Sequence, residues 1–411
     1  MPERTPNIAG SEDIMADYST KAPGVYVEQV PSGSAPISGV GTSTAGFVGV
    51  VPDSIKNPDG KDIAKVGEVR LVTNFTEFKN AFGDFSNDLG HSLLAHAVYG
   101  FFLNGGTRCW VTRILPPAAV NGVVDYTTVA IAEPLALLEA IDEIAIVAAP
   151  GLSSKVQTGA ISDHCKRVGD RFGVLDTAEK FDGTGGQPDF ATKLAKNSTT
   201  LPDNTDHAAL YFPWIQVYDP ATKAPKFVPP SGHIMGMYAR VDAQRGVHKA
   251  PANETLFGAL GTKYAISRAQ QDGLNGHGVN CIRRLNGNIR VWGARTVGGS
   301  DNLDYRYVNV RRLYMYLRES INEGTQWAVF EPNNADLWAK ITRNVSAFLT
   351  NVWAAGALFG SKPEEAFFVK CDAETNPASL RETGHVTTEI GVAITKPAEF
   401  VVFRLGQQSV S

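Results

Sequence analysis

The feature that most constrains the fold is an apolar stripe between two β-rich runs near the start of the chain. Residues 87–103 place apolar side chains at helical spacing, at Leu89, Leu93, Leu94, Ala97, Val98, Phe101 and Phe102. Residues 40–51 before this segment and 109–114 after it have the composition of strands. A helix with one apolar face between two strands packs onto the sheet that the strands form. The pattern therefore predicts an α/β layer.

The same alternation continues along the chain. Further segments with helical spacing lie at 75–82, 232–244, 305–322 and 335–355. Further short β-rich segments lie at 143–149, 208–218, 327–330, 365–371 and 386–394. Asn334 and Ser231 stand where a helix needs a side-chain cap, and we expect both to cap the helices that follow them.

Both ends of the chain carry β-rich runs bounded by proline. Residues 1–20 are polar and predicted to be disordered, and residues 21–35 form an N-terminal arm with a single short strand. Residues 397–411 form a similar arm at the other end. Strands this short are not stable alone, but they can add to the open edge of another sheet. In a chain that stayed monomeric they would be an aggregation hazard.

Composition excludes several classes of protein. The 411 residues carry 38 basic and 42 acidic side chains, a net charge of −4, which lacks the basic excess typical of nucleic-acid binding. No run of 18 apolar residues is present, so no membrane insertion is expected, and the polar residues 1–20 predict no secretory signal. The four cysteines are scattered without a Cys-x-x-Cys pair, which predicts reduced thiols and neither a disulfide framework nor a zinc site.

Motifs for catalysis are incomplete. The segment 41–46 has the Gly-Thr-Ser of a subtilisin-type nucleophile, but no histidine precedes it as that mechanism requires. It also fits a phosphate-binding loop, except that Phe47 and Val48 replace the lysine and the hydroxyl residue. His91 and His96 are five apart and do not share a helix face, so they do not predict a metal site. We expect no enzyme, no cofactor and no metal.

A local excess of positive charge lies between residues 283 and 318. It contains two acids and eight arginines, at 283, 284, 290, 295, 306, 311, 312 and 318. One interpretation is a solvated face with internal salt bridges, and the other is a basic surface for an acidic protein partner. Tyrosines between these arginines are more typical of an apolar helix stripe than of nucleic-acid binding.

Several ordered motifs resemble the contractile tail sheath family of phages, R-type bacteriocins and extracellular injection systems. They cover about residues 20–406 and are weakest at 116–135 and 180–206. Short examples are Phe-Phe-Leu-Asn-Gly-Gly at 101–106 and Arg-Val-Trp-Gly-Ala-Arg-Thr at 290–296. The longer motifs occupy 22–28, 228–253, 307–313, 326–333, 363–369 and 396–404.

The resemblance implies a fold class of α/β and α+β. It places a non-catalytic, subtilisin-like domain at 36–298, a smaller α+β domain at 299–396, and extended β-arms at 21–35 and 397–411. In that family the arms exchange strands between subunits. The expected arm contacts are Val25, Tyr26, Val27, Glu28, Phe400, Val401, Val402, Phe403 and Arg404. The C-terminal domain faces an inner tube, and the candidate contacts are Arg311, Arg312, Lys340 and Arg343.

The implied function is structural: subunits polymerise as a helical sheath around the tube in an extended metastable state, and then contract. Expected partners are other copies, alone or with paralogous sheath subunits, the inner tube protein, and baseplate and terminal cap proteins. Assembly is expected in the bacterial cytoplasm, for a virion tail or for an extracellular or membrane-anchored particle. The competing classes are a hydrolase, for which no base and nucleophile can be assembled, and a monomeric binding module.

Overall fold

The computed structural model describes residues 36–181, 188–194, 201–298 and 301–402. The chain divides after Ala35 into two units, and the fold described below belongs to the second. The predicted disordered N-terminus and N-terminal arm, including Val25–Glu28, lie outside the described residues.

Helices and strands alternate along most of the described chain. The strands are β1 (Ala45–Val50), β2 (Val69–Val72), β3 (Cys109–Ile114), β4 (Ile146–Ala148), β5 (Phe172–Asp176), β6 (Ala208–Phe212), β7 (Ile215–Asp219), β8 (Ala224–Val228), β9 (Glu254–Thr255), β10 (Gly261–Thr262), β11 (Val279–Leu285), β12 (Asn288–Val291), β13 (Phe367–Lys370) and β14 (Glu389–Val392). The helices are α1 (Phe75–Phe82), α2 (Leu89–Leu103), α3 (Ala132–Leu137), α4 (Lys155–Val168), α5 (Phe190–Lys193), α6 (Ser231–Arg245), α7 (Arg268–Asn275), α8 (Val308–Gly324), α9 (Ala335–Ala354), α10 (Pro363–Ala366) and α11 (Ala378–Glu382).

A nine-stranded sheet forms the centre, in the order β2-β3-β1-β4-β5-β6-β11-β12-β9. The six strands from β3 to β11 are parallel, and the outer strands β2, β12 and β9 are antiparallel to their neighbours. Alternate residues of each inner strand enter different cores: Phe47 packs on one face of β1 and Val48 on the other. A parallel sheet needs cover on both faces, and this sheet has it. The predicted α/β layer is confirmed.

Helices α2 and α6 make a close contact on one face of this sheet. A Cβ atom added to Gly232 would overlap the backbone of Ala97, and one added to Gly236 would overlap the carbonyl of Phe101. Gly100 is covered in turn by the ring of His233. Three glycines therefore let two helix backbones approach more closely than larger residues allow, and the sequence pattern alone did not identify this contact.

A C-terminal module follows the sheet. Helices α8 and α9 share an apolar cluster with a two-stranded sheet of β13 and β14, through side chains such as Leu313, Leu317, Val345 and Leu349. Asn334 caps α9, with its Oδ1 accepting from the Leu337 N–H at 3.0 Å, as predicted. Strands β7, β8 and β10 form a third, three-stranded sheet.

Three local predictions differ from the structure. The predicted strand 208–218 is two strands, since Pro213 between β6 and β7 has no N–H to continue the ladder. The predicted strand 327–330 is wrong: Gln326–Ala328 is a 3₁₀ turn, and Phe330 has a left-handed φ of 68°. Ser231 does not cap α6, because it is the first helical residue.

The hydroxyl of Ser231 binds a buried carboxylate instead. Its Oγ donates to Asp176 Oδ2 at 2.6 Å and its N–H donates to Asp176 Oδ1 at 2.9 Å. Burial raises the pKa of Asp176 to about 6, although the bonds from Ser231 and from the Gly151 N–H oppose that shift. These bonds satisfy a polar group at the carboxyl end of β5.

The α2–α6 contact gives a first prediction. We expect Gly232→Ala to destabilise the chain by about 1–3 kcal/mol, because the methyl group can be accommodated only by moving a helix backbone. Gly159→Ala in α4 is the matched control, since nothing lies within 4 Å of its added Cβ. The control should be neutral or stabilise by up to about 1 kcal/mol. Urea unfolding measures both, and equal effects would contradict the assigned contact.

Candidate assembly surface

The two-stranded sheet of the C-terminal module has one covered face. Strands β13 and β14 are antiparallel, with Phe367 opposite Val392 and Val369 opposite Ile390. These four side chains pack against the core that α9 contributes to, but all four remain only partly buried. A sheet of two strands is too narrow to cover its own apolar residues.

The other face of this sheet carries exposed apolar side chains next to the opposed charges of Lys370 and Glu389. Phe368 lies opposite Gly391, and its ring occupies the space that a side chain at Gly391 would need. Phe359 extends the same ladder, because its N–H donates to the Ala393 carbonyl at 2.7 Å. The exposed fractions of Phe359 and Phe368 are 74% and 58%. Large apolar groups left in solvent commonly mark a contact with another chain.

Both edges of this sheet are open within the described residues, where β13 and β14 pair only with each other. The N–H of Ala393, the residue after β14, donates to the Ala366 carbonyl, so the N–H of Ala393 points towards the β13 side. This bond fixes which backbone N–H groups of β14 face β13 and which face away. By alternation, the N–H groups of Ile390 and Val392 point to one free edge and that of Val369 to the other, whereas the Phe367 N–H already donates to the Pro363 carbonyl of α10. Such edges can each accept one more strand.

The start of the predicted C-terminal arm is described as far as Val402. Phe400, Val401 and Val402 have no strand partner among the described residues and are between 70% and 79% exposed. Phe403 and Arg404 lie outside the described residues. Just before this run, Glu399 is partly buried and accepts hydrogen bonds from Arg295, Asn275 and Tyr307.

Arg312 is buried and fully engaged inside the chain. Its guanidinium donates to Asp242 at 2.6 and 3.0 Å and to the Thr42 carbonyl at 2.8 Å, and it lies over the Tyr238 ring. Thr42 Oγ1 also donates to Asp242, at 2.7 Å. Burial lowers the pKa of Arg312, but the adjacent Asp242 carboxylate outweighs burial and leaves that pKa raised.

Arg311 is also withdrawn from the surface. Its guanidinium contacts His207, lies 3.8 Å from Asp206, and lies 4.6 Å from the ring centre of Tyr305 and 5.5 Å from that of Tyr314. The expectation that Arg311 and Arg312 form a free basic surface is therefore corrected: both charges are neutralised within the chain. Lys340 and Arg343 are exposed on α9, so their contact with a tube stays a prediction.

Most of the rest of the arginine-rich segment is less enclosed, and Arg284 and Arg318 are exposed. Its members bind acceptors in the chain, with Arg283 on Gln271, Arg284 on the Leu260 carbonyl, Arg290 on Asn253, Arg295 on Glu399 and Arg318 on the Gly169 carbonyl. Internal ion pairing therefore accounts for Arg295, Arg311 and Arg312, while the acceptors of the other four arginines named here are neutral and leave both interpretations of the sequence open for them.

The residues considered for chemistry have structural contacts. His96 is buried and 3.3 Å from Asp219, and burial lowers the pKa of His96 to about 4. Burial likewise lowers the pKa of His91, whose Nδ1 is 2.7 Å from Ser86 Oγ. The four cysteines are buried free thiols. In the described part of the chain, no group of three or more His, Cys, Asp or Glu side chains is placed to hold a metal ion.

Comparison with known proteins identifies the family. The model of the phage tail sheath protein central domain matches residues 127–297, and that of the phage tail sheath C-terminal domain matches residues 300–408. The chain belongs to the phage tail sheath family. Together the two matches cover most of the residues that form the central sheet and the C-terminal module of this sheath protein.

Individual sheath proteins are similar over different lengths. The tail sheath protein of Burkholderia phage BcepMu is 28% identical over 208 residues, which are 49% of this chain and 42% of the phage protein. This match therefore spans less than half of that relative. The anti-feeding prophage helical sheath in its contracted state has a TM-score of 0.71 and 28% identity, covering 95% of this chain and 100% of that chain.

A second solved structure gives the same result. The PVC sheath complex of an extracellular contractile injection system, in its contracted state, also has a TM-score of 0.71 and 28% identity. It covers 95% of this chain and 98% of that chain. The whole described fold is thus a sheath fold. Among the helices of the described residues, none combines the length and the apolar character needed to cross a bilayer.

Sequence reasoning missed three features of the assembly surface: Phe359, Phe368 and the Arg295–Glu399 pair. Phe368 could have been found, because side chains alternate along 367–370 and Phe368 therefore lies on the other face of the strand from Phe367 and Val369. Phe359 precedes Gly360 in a segment with no strand pattern. The pair joins positions 104 residues apart, and no local signal links them.

The burial of Arg312 with Asp242 gives a second prediction. Arg312→Leu should destabilise the chain by about 3–5 kcal/mol, because Asp242 would stay buried without a partner. Arg312→Leu/Asp242→Leu should cost less than the sum of the two single changes, since neither charge remains. Urea unfolding of the full chain measures each variant.

Arg343→Leu on α9 is the control, because this side chain is exposed, and its effect should stay within about 0.5 kcal/mol. Equal losses from Arg312→Leu and Arg343→Leu would show that the buried pair is not needed.

Proposed function

We propose that this chain is the structural subunit of a contractile sheath, which polymerises helically around an inner tube in an extended metastable state and then contracts. The observation that carries the proposal is the two-stranded C-terminal sheet with two open edges, in a chain that belongs to the sheath family. Similarity to the anti-feeding prophage and PVC sheaths supports the same function. On this proposal the chain has no catalytic role.

Strand exchange accounts for the open edges. Residues 21–35 of one neighbour and 397–411 of another would each add a strand, which makes the sheet four-stranded. Each added strand supplies roughly four to six backbone hydrogen bonds, at about 0.5–1.5 kcal/mol net each. Exposure of Phe400–Val402 is consistent with an arm that leaves its own subunit. Head-to-tail contacts of this kind do not close, so they propagate as a helix.

The division of the chain follows from the same proposal. Residues 36–298 would form a subtilisin-like domain without catalysis, 299–396 the α+β domain next to the tube, and 397–411 the C-terminal arm. Partners would be further copies, the inner tube protein, and baseplate and cap proteins. We place assembly in the bacterial cytoplasm, and similarity to injection-system sheaths favours a particle of that type.

Negative-stain electron microscopy tests the sheath and its N-terminal arm together. The full chain and a variant lacking residues 1–18 should form striated hollow tubes, because both retain the predicted strand at 22–30. A variant lacking residues 1–30 should form none, since every junction loses one added strand. Tubes from all three would contradict strand exchange by this arm. Small particles from all three, even with tube and baseplate proteins co-expressed, would contradict the sheath.

The tube contact has a separate test. Lys340→Glu/Arg343→Glu reverses two exposed charges on α9 and should lower the yield of tube-filled sheaths about tenfold, because the contact repeats at every subunit. Lys362→Glu changes another exposed lysine of the same module and serves as the control. Counting filled and empty sheaths in micrographs gives the result. Normal-length, filled sheaths from the double variant would remove α9 from the proposed tube surface.

A further inference from the structure

The last described segment connects two parts of the fold. At its start, the Thr395 N–H donates to the Ala357 carbonyl at 3.1 Å and continues the ladder of the C-terminal module. Four residues later, Glu399 accepts hydrogen bonds from Asn275, Arg295 and Tyr307, which lie at the end of α7 and in the connection between β12 and α8. Between these two points, Lys396 Nζ donates to the Leu303 carbonyl at 3.4 Å.

Four donors converge on the Glu399 carboxylate. Arg295 binds both oxygens, from Nε at 2.9 Å and from a terminal nitrogen at 2.8 Å. Asn275 donates to Oε1 at 3.1 Å and the Tyr307 hydroxyl donates to Oε2 at 2.9 Å. Two-point binding fixes the plane of the carboxylate as well as its position. The side chains of Arg295 and Glu399 are only 10% and 19% exposed, so this pair is partly shielded from solvent.

The donors come from a junction in the chain. Asn275 ends α7, and Arg295 and Tyr307 form an isolated β-bridge on either side of the connection that leads into α8. Arg295 is itself held, because its N–H donates to Asn280 Oδ1 at 2.7 Å and its side chain donates to the Asn275 carbonyl at 3.0 Å. The carboxylate therefore binds a set of donors that the fold has already positioned.

Burial changes abruptly after Glu399. The next residue, Phe400, is 71% exposed, and Val401 and Val402 are equally open. One large aromatic and two β-branched side chains thus lie in solvent directly after the carboxylate that four donors hold. We take Glu399 as the point where the chain leaves the folded part of its own subunit, which is called the body below. The apolar character of Phe400, Val401 and Val402 makes another strand edge a better environment for them than water.

We propose that Arg295 and Glu399 form a clamp that sets where the C-terminal arm leaves the subunit, and so which position the arm reaches on a second copy of this chain. The proposal rests on the proposed sheath function and names the positioning residues for its strand exchange. Glu399 does not contact the neighbour in this scheme; it acts through the residues that follow it.

Loss of the clamp would change how far the C-terminal arm can reach and how ordered its first residues are. Releasing residues 396–399 gives the arm about 13 Å of additional slack, at about 3.3 Å for each extended residue. An arm with a free root also loses more conformational entropy when it adds to a neighbour's sheet. Both effects weaken the preference for a single lattice position, because the strand can pair in more than one register.

Hydrogen exchange of the full chain, read by mass spectrometry, tests the clamp directly. Glu399→Ala and Arg295→Ala should each speed exchange of the Thr395 amide, which donates to the Ala357 carbonyl, about tenfold or more, since losing a charge-assisted anchor lets the end of that ladder open. The double variant should be no faster than either single one. Glu382→Ala, an exposed carboxylate on α11 of the same module, should leave exchange unchanged. Unchanged exchange in Glu399→Ala would overturn the clamp.

Assembly provides the second readout. With Glu399→Ala we expect tubes with variable helical rise or a critical concentration raised about tenfold, at an unfolding midpoint close to that of the unchanged protein. Uniform tubes at the unchanged concentration would overturn the positioning role. If the unchanged protein forms no tubes under any condition, the sheath function fails instead, and hydrogen exchange still decides whether the clamp exists.

Discussion

The body of this sheath protein depends on one buried ion pair, between Arg312 of α8 and Asp242 of α6. Neither charge can be buried alone without a cost of several kcal/mol, so each requires the other to stay in place. The same guanidinium binds the Thr42 carbonyl and covers the Tyr238 ring. One side chain thereby joins the helix that opens the C-terminal module to a helix of the central sheet and to the segment before β1.

The central sheet and the sheet of β13 and β14 differ in how completely they are covered. The central sheet is covered on both faces, and the α2–α6 contact beside it leaves no room for a methyl group at Gly232 or Gly236. The sheet of β13 and β14 is the opposite: two strands, half-buried core residues, and exposed Phe359 and Phe368. Such a sheet is best explained as one part of a structure that other subunits complete.

Sequence reasoning succeeded where the signal is local. The helices at 75–82 and near 335–355, the Asn334 cap and the α/β layer all follow from spacing over a few turns. It failed where the deciding partner is distant. Arg312 looked like a surface charge because Asp242 is 70 residues away, and Ser231 looked like a cap because Asp176 is 55 residues away. The strand expected at 327–330 failed because tertiary context overrides the β-propensity of a short aromatic run.

Two arginine–carboxylate pairs have different roles in the proposed sheath: one holds the body together and the other holds the root of the C-terminal arm. Arg312–Asp242 is buried inside the body, where breaking it would leave an unpaired charge without water. Arg295–Glu399 is partly exposed and lies at the root of the arm, where the same chemistry costs less to open. A contracting lattice needs subunits that move as rigid bodies while their connecting strands keep their register. Strong burial within the body and a weaker anchor at its edge satisfy both needs.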